Sequence, residues 1–339
     1  MMALTVALAF MAASGDGWRD LASLPQALGG QTAGVSHGAL LVAGGSRFDR
    51  PPYDGGVKQW VDTLYVLTPD ASAWHTFALG SPRAYGCAVS YGEAVYIVGG
   101  SNARGHLADV LRIEWDGTRP HIDTLPALPL PLAQHACALV GSELLVIGGQ
   151  SQPDELSASP RLLAIDLAAP AKGWRELAPL PGPGRILPAC AALGSDLYVF
   201  GGAAIGAGAD GKPVRTYLRD GWRYRVKGGW SKVVSLPHPL VAAPALALSA
   251  TRLAIFGGDD GVLAGQAAVL RERHPGFARA TLVFDAPSGA WVEREALPVS
   301  LVTTAAVRWG GNAVIAGGED RPGHRSSRVV AVGAAALVR

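Results

Sequence analysis

An all-β chain built as a six-bladed propeller is predicted by three features of the sequence. A short apolar run closed by a Gly pair recurs six times, the recurrences are evenly spaced, and a Trp opens one strand in most units. The runs are Leu40 to Ala43 before Gly44-Gly45, Val95 to Val98 before Gly99-Gly100, Leu144 to Ile147 before Gly148-Gly149, Leu197 to Phe200 before Gly201-Gly202, Leu253 to Phe256 before Gly257-Gly258, and Ala313 to Ala316 before Gly317-Gly318. Their first glycines stand 55, 49, 53, 56 and 60 residues apart, the length of a blade of four strands.

A second apolar strand follows most Gly pairs: Leu64 to Leu67, Val110 to Ile113, Leu162 to Ile165, Leu282 to Phe284 and Val329 to Val332. Trp74, Trp174, Trp230 and Trp291 then open a strand leading to a Leu-Pro or similar turn, with His121-Ile122 replacing the Trp in the second unit. Four short strands per unit, separated by Gly, Pro, Asp and Ser, form the antiparallel blade of a kelch-type β-propeller. The segment Trp18 to Pro25 resembles a blade's fourth strand yet precedes the first unit, so it is expected to complete the sixth blade and leave no exposed sheet edge. Residues 17–339 therefore read as one ring.

Composition narrows the class. The 339 residues include 44 Gly, 24 Pro and 3 Cys, with 49% hydrophobic and 17% charged residues, which excludes a disordered chain and a disulfide scaffold. Lys plus Arg is 29 against 27 Asp plus Glu, and no basic stripe offers itself to nucleic acid. No stretch is long and apolar enough for membrane insertion. Residues 1–16 open on an apolar stretch, Met1 to Ala13, that ends in small residues at Met11-Ala12-Ala13-Ser14 but carries no Lys or Arg in front. They are read as a signal peptide, giving a periplasmic location, with a disordered leader and a cytoplasmic location as the alternative; monomer and homodimer stay open.

Most repeated residues are expected to be structural. The glycines serve close approach of backbones, and the Trp side chains are wedges between blades. Cys87, Cys137 and Cys190 occupy nearly equivalent strand positions and read as small buried hydrophobes, a disulfide or a nucleophile being the lesser alternative. No His or Cys spacing supports a metal, and no Ser-His-Asp triad stands out.

Departures from the repeat are the functional candidates. Arg83 and Arg185 each stand 16 residues before a Gly pair, where the other units have Leu28, Leu132, Val241 and Leu301. Two guanidiniums at one ring position suggest an anion or polyol site at the funnel mouth, against solvated arginines. Glu319 follows the sixth Gly pair, and Arg325 stands six residues on, near enough to fold back onto that carboxylate or onto a substrate anion. Tyr85, Tyr53, Trp60, Lys58, His37 and His135 are weaker candidates for the funnel. Residues 261–279 lengthen blade five and are expected to form a short helix, as a lid or a plain insertion.

At these residues the chain resembles the N-acetylneuraminate epimerases, or sialic acid mutarotases, in their cyclically permuted group. The likeness rests on Pro82-Arg83-Ala84-Tyr85-Gly86 ahead of Val95 to Gly100, on Gly184-Arg185 ahead of Leu197 to Gly202, and on Gly318-Glu319-Asp320-Arg321-Pro322-Gly323-His324-Arg325. It covers residues 17–334, with the blade-five insertion shorter. The resemblance implies interconversion of the α and β anomers of N-acetylneuraminate without a cofactor. It makes Glu319 and Arg325 catalytic and Arg83, Arg185 and Tyr85 substrate-binding, with one of the three arginines holding the substrate carboxylate. A non-catalytic kelch module that binds a glycan or protein, or another sugar isomerase or lyase, is the alternative.

Overall fold

The computed structural model describes residues 17–339, so the leader anticipated at 1–16 lies outside the described residues. Six antiparallel four-stranded sheets follow one another along the chain. The first runs Thr32–Ser36, Ala39–Ala43, Thr63–Leu67 and His75–Ala78; the second begins at Cys87–Tyr91, the third at Ala136–Val140, the fourth at Ala189–Leu193 and the fifth at Ala245–Ala247. The sixth comprises Ala306–Trp309, Asn312–Arg321 and His324–Gly333, with Arg19–Asp20 as its outer strand, Arg19 opposite Ala331 and Asp20 opposite Val330.

The core is a set of wedges between blades. Val, Leu, Ile and Ala side chains from each pair of neighbouring sheets form one cluster apiece, including a cluster that joins Leu40 and Val42 of blade one to Val314 and Val329 of blade six. Each fully buried Val, Leu or Ile contributes roughly 1.5–3 kcal/mol. The Trp residues act as the sequence suggests. Trp74, Trp174 and Trp230 donate their indole N–H to Ala22, Pro126 and Ala178 carbonyls of the preceding blade, at 2.9, 2.8 and 2.7 Å. Trp291 packs edge-on against Phe200 of blade four with 4.9 Å between ring centroids.

Around the axis runs a closed ring of backbone hydrogen bonds. Gly30, Tyr85, Gln134, Leu187, Ala242 and Thr303, one per blade, all have φ between 51° and 75°. Each donates its N–H to the carbonyl of its counterpart one blade back: Tyr85 to Gly30 at 2.7 Å, Gln134 to Tyr85 at 2.8, Leu187 to Gln134 at 2.7, Ala242 to Leu187 at 3.0, Thr303 to Ala242 at 3.0 and Gly30 to Thr303 at 2.6. The left-handed backbone is unfavourable for the non-glycine members, and the ring bonds offset it.

The Gly pairs tie blade to blade as well. The second glycine's N–H bonds the carbonyl of Arg83, Leu132, Arg185, Leu240 or Leu28 at 2.7–2.8 Å. A Cβ on Gly44, at φ 66°, would lie 2.2 Å from the Arg83 carbonyl oxygen, so no other residue fits there. This register corrects one expectation: the blade-five counterpart of Arg83 and Arg185 is Leu240, not Val241. Blade five turns between its first two strands through residues 248–251, where the other blades use two-residue turns, and the longer turn displaces the count.

The cysteines require a second correction. Cys87 and Cys137 form a disulfide between the inner strands of blades two and three, their Cα atoms 5.9 Å apart, whereas Cys190 is free. Inner strands converge on the axis, which brings side chains 50 residues apart into bonding range. All three line the axial channel with His135 and Thr304. Burial pushes the Cys190 thiol up to about 12, so it carries no thiolate reactivity near neutrality.

Candidate functional site

Connections between the second and third strands of the blades gather at one end of the ring. The residue after each Gly pair is pinned there by a β-bridge to the residue before the ring member: Ser46 to Gly29, Ser101 to Ala84, Gln150 to Ala133, Ala203 to Ile186, Asp259 to Val241 and Glu319 to Val302. Glu319 thus owes its position to the repeat itself.

In blade six the two central strands run on past the Gly pair as a hairpin, with bulges between Ala316 and Gly318 and between Glu319 and Arg321. Glu319 and Arg325 stand directly opposite in its register. Arg325 Nη1 donates to Glu319 Oε2, the Gly323 N–H donates to Oε1 at 2.6 Å, and Thr303 Oγ1 lies 3.4 Å from Oε2. The second guanidinium nitrogen of Arg325 donates to the Tyr85 hydroxyl at 3.0 Å, and that hydroxyl lies 3.2 Å from Ser46 Oγ. Burial works against the Arg325 charge, yet the Glu319 carboxylate and the Tyr85 hydroxyl outweigh it and raise its pKa, so the cation persists. Three of the anticipated residues, Glu319, Arg325 and Tyr85, therefore meet across blades six and two.

Arg83 and Arg185 lie elsewhere. Each is buried between blades and faces its own carboxylate. Arg83 meets Asp109 at 2.5 Å, and Arg185 makes a two-pronged contact with Asp220, 2.8 Å in both prongs, plus a 2.9 Å bond to the Gly201 carbonyl. Their partners follow at 26 and 35 residues, in connections of differing length, so no fixed spacing reveals them. Asp220 is desolvated, which favours its neutral form, but the bonds from Arg185 and the Trp222 indole prevail and hold its carboxyl below the usual range.

Of the wall beside Tyr85, sequence reasoning named Lys58 and Trp60 as weaker candidates and missed Ser46 and Phe48. The hairpin Ser46–Phe48 with Lys58–Trp60 sets Ser46 opposite Trp60 and Phe48 opposite Lys58. By strand alternation all four share one face, whereas Arg47 and Gln59 point to the other. Trp60 meets Tyr85 edge-on at 6.0 Å, and the Arg325 guanidinium lies 5.1 Å from the Phe48 ring centre. The signal was the pair of x-skip patterns Ser-x-Phe and Lys-x-Trp, of which only Lys58 and Trp60 drew notice.

The blade-five insertion does hold a short helix, Ala267–Leu270, followed by the 3-10 turn Arg271–Arg273. It reaches over to the mouth segments of blades one and six. Glu272 accepts from the Tyr53 hydroxyl and from Arg321 at 2.7 Å, and Arg271 lies 3.4 Å from Asp54. His37 sits on the far rim with Glu114 at 3.1 Å, and His135 lines the channel rather than the mouth.

No protein-family model matches the chain. It is similar to the N-acetylneuraminate epimerase of Haemophilus influenzae (strain PittEE), 28% identical over 227 residues that cover 60% of this chain and 58% of that protein. It is also similar to the N-acetylneuraminate epimerase of Salmonella enteritidis PT4, 35% identical over 91 residues, 24% of this chain and 23% of that protein. The match thus spans less than two thirds of the length of either relative, and the likeness is that of a distant homologue with a propeller fold.

Proposed function

We propose that this protein is a mutarotase, a cofactor-independent enzyme that interconverts the α and β anomers of N-acetylneuraminate by opening and reclosing the sugar ring. The carrying observation is the Glu319–Arg325 pair, set opposite each other at the funnel mouth with Tyr85 bonded to the same guanidinium. The distant similarity to N-acetylneuraminate epimerases supports it.

Glu319 accepts the proton of the anomeric hydroxyl. The electron pair left on that oxygen becomes the ketone π bond as the bond from the anomeric carbon to the ring oxygen breaks. The proton held by Glu319 passes to the released oxygen, giving the open-chain keto acid with no net change in atoms or charge. Rotation beside the ketone presents its other face, and the same transfers in reverse close the opposite anomer. Arg325 keeps Glu319 in place throughout, and the Tyr85 hydroxyl offers the sugar a polar contact. An exported location accords with the Cys87–Cys137 disulfide, since disulfides persist in oxidising compartments.

The test is an NMR time course on freshly released α-N-acetylneuraminate against the spontaneous rate. Wild type is expected to accelerate equilibration, and Glu319→Gln to lose about 100-fold or more of that acceleration. No acceleration by folded wild type refutes the proposal.

A further inference from the structure

The cations at the mouth differ in how they are balanced. Arg325 faces Glu319, Arg321 faces Glu272, and Arg271 faces Asp54. Lys58 and, in the same cleft, Arg104 have no carboxylate within ion-pairing distance among the described residues, but only Lys58 touches Tyr85. Lys58 is an exposed residue, and its ammonium stands over three aromatic rings, 4.9 Å from the Tyr85 centroid, 5.4 Å from Trp60 and 5.9 Å from Phe48. Such rings hold a cation in place while leaving its charge uncancelled. The Tyr85 ring beneath it carries the hydroxyl that meets Arg325 at 3.0 Å, so Lys58 and the Glu319–Arg325 pair flank one tyrosine.

Lys58, Trp60 and Tyr85 also line a cleft of about 430 Å³ together with Asn102, Arg104, His106 and Gln134. That size lies within the range of small-molecule sites, and the amide and imidazole groups suit the hydroxyls and N-acetyl group of an amino sugar. Both terminal nitrogens of Arg325 are already engaged, one with Glu319 and the other with the Tyr85 hydroxyl, so a second anion has to compete with these partners for the same guanidinium.

We propose that Lys58, and not Arg325, receives the carboxylate of the sugar acid. This rests on the mutarotase reading and sharpens it. In a sugar acid of this class the carboxylate is bonded to the anomeric carbon itself. Anchoring it on Lys58 fixes that carbon beside Tyr85 and leaves Glu319 with Arg325 for proton transfer. Lys58 is then a residue that selects acids over neutral sugars.

The experiment compares wild type, Lys58→Met and Lys58→Arg with N-acetylneuraminate and with its methyl ester, which lacks the charge. Binding is read by NMR titration and turnover by the anomer time course, with circular dichroism confirming the fold. Wild type is expected to bind the acid about 10- to 100-fold more tightly than the ester. Lys58→Met should lose that preference, with the effect falling mainly on KM, and Lys58→Arg should recover most of it. An acid preference that survives Lys58→Met, or is absent from wild type, overturns the assignment. If wild type binds the acid through Lys58 yet does not speed mutarotation, the catalytic reading falls and the anchor stands.

Discussion

Removing the carboxylate of Asp220 isolates the cost of a buried, uncompensated guanidinium. Arg185 is fully buried, and Asp220 supplies two of its bonds at 2.8 Å, leaving the Gly201 carbonyl at 2.9 Å and the Pro183 carbonyl at 3.3 Å. In Asp220→Ala these two carbonyls alone face the charge, and the expected loss is about 3–5 kcal/mol. At about 2 °C per kcal/mol for a chain this large, the melting temperature should fall by about 6–10 °C. Arg185→Leu is a gentler change. The counterpart positions hold Leu28, Leu132, Leu240 and Leu301, all buried, and the orphaned Asp220 is 30% exposed and keeps the Trp222 indole at 2.6 Å. Its expected cost is about 1–2 kcal/mol. The double variant Arg185→Leu with Asp220→Ala should therefore be more stable than Asp220→Ala alone. Urea unfolding followed by Trp fluorescence measures all three. An Asp220→Ala loss under about 1 kcal/mol, or a double variant as unstable as the sum of the singles, refutes the reasoning.

Burial pushes the His135 imidazole down to about 4. The unfolded chain, with an ordinary histidine near 6.5, then binds more protons than the folded one between those values, so stability falls as pH drops from about 6.5 to 4, by about 3 kcal/mol in all. Urea midpoints at stepped pH should show this slope in wild type and its loss in His135→Gln; parallel slopes count against it. Reducing the Cys87–Cys137 disulfide, which closes a loop 50 residues long, should lower stability by up to about 4 kcal/mol. Unfolding with and without reductant, set beside Cys87→Ser, checks this, and identical midpoints argue against the bond.

Blade number, the strands inside each blade and the pairing of Glu319 with Arg325 were legible because they rest on local chemistry repeated along the chain. A Gly pair must follow a buried strand wherever backbones touch, and six residues of hairpin bring Glu319 and Arg325 face to face whatever surrounds them. Arg83 and Arg185 were legible as departures but not in their purpose, because Asp109 and Asp220 come from connections without a common length. Cys87 and Cys137 differ by one place in their distance to the Gly pair, and only the convergence of strands on the axis makes them neighbours. Lys58 draws its meaning from Phe48, Trp60 and Tyr85 in two blades, and from having no acid partner among the described residues, which no local pattern encodes.

The six hydrogen bonds around the axis are indifferent to where the polypeptide is cut. Each links equivalent residues of adjacent blades, and the bond from Gly30 to Thr303, between blades one and six, has the same form as the five between consecutive blades. A chain opened at another blade junction would form the same ring and present Glu319, Arg325, Tyr85 and Lys58 around the same mouth. Blade order along the gene is thereby free to rotate while the chemistry at the mouth stays fixed, and two such proteins can share a site yet align in sequence only piecewise.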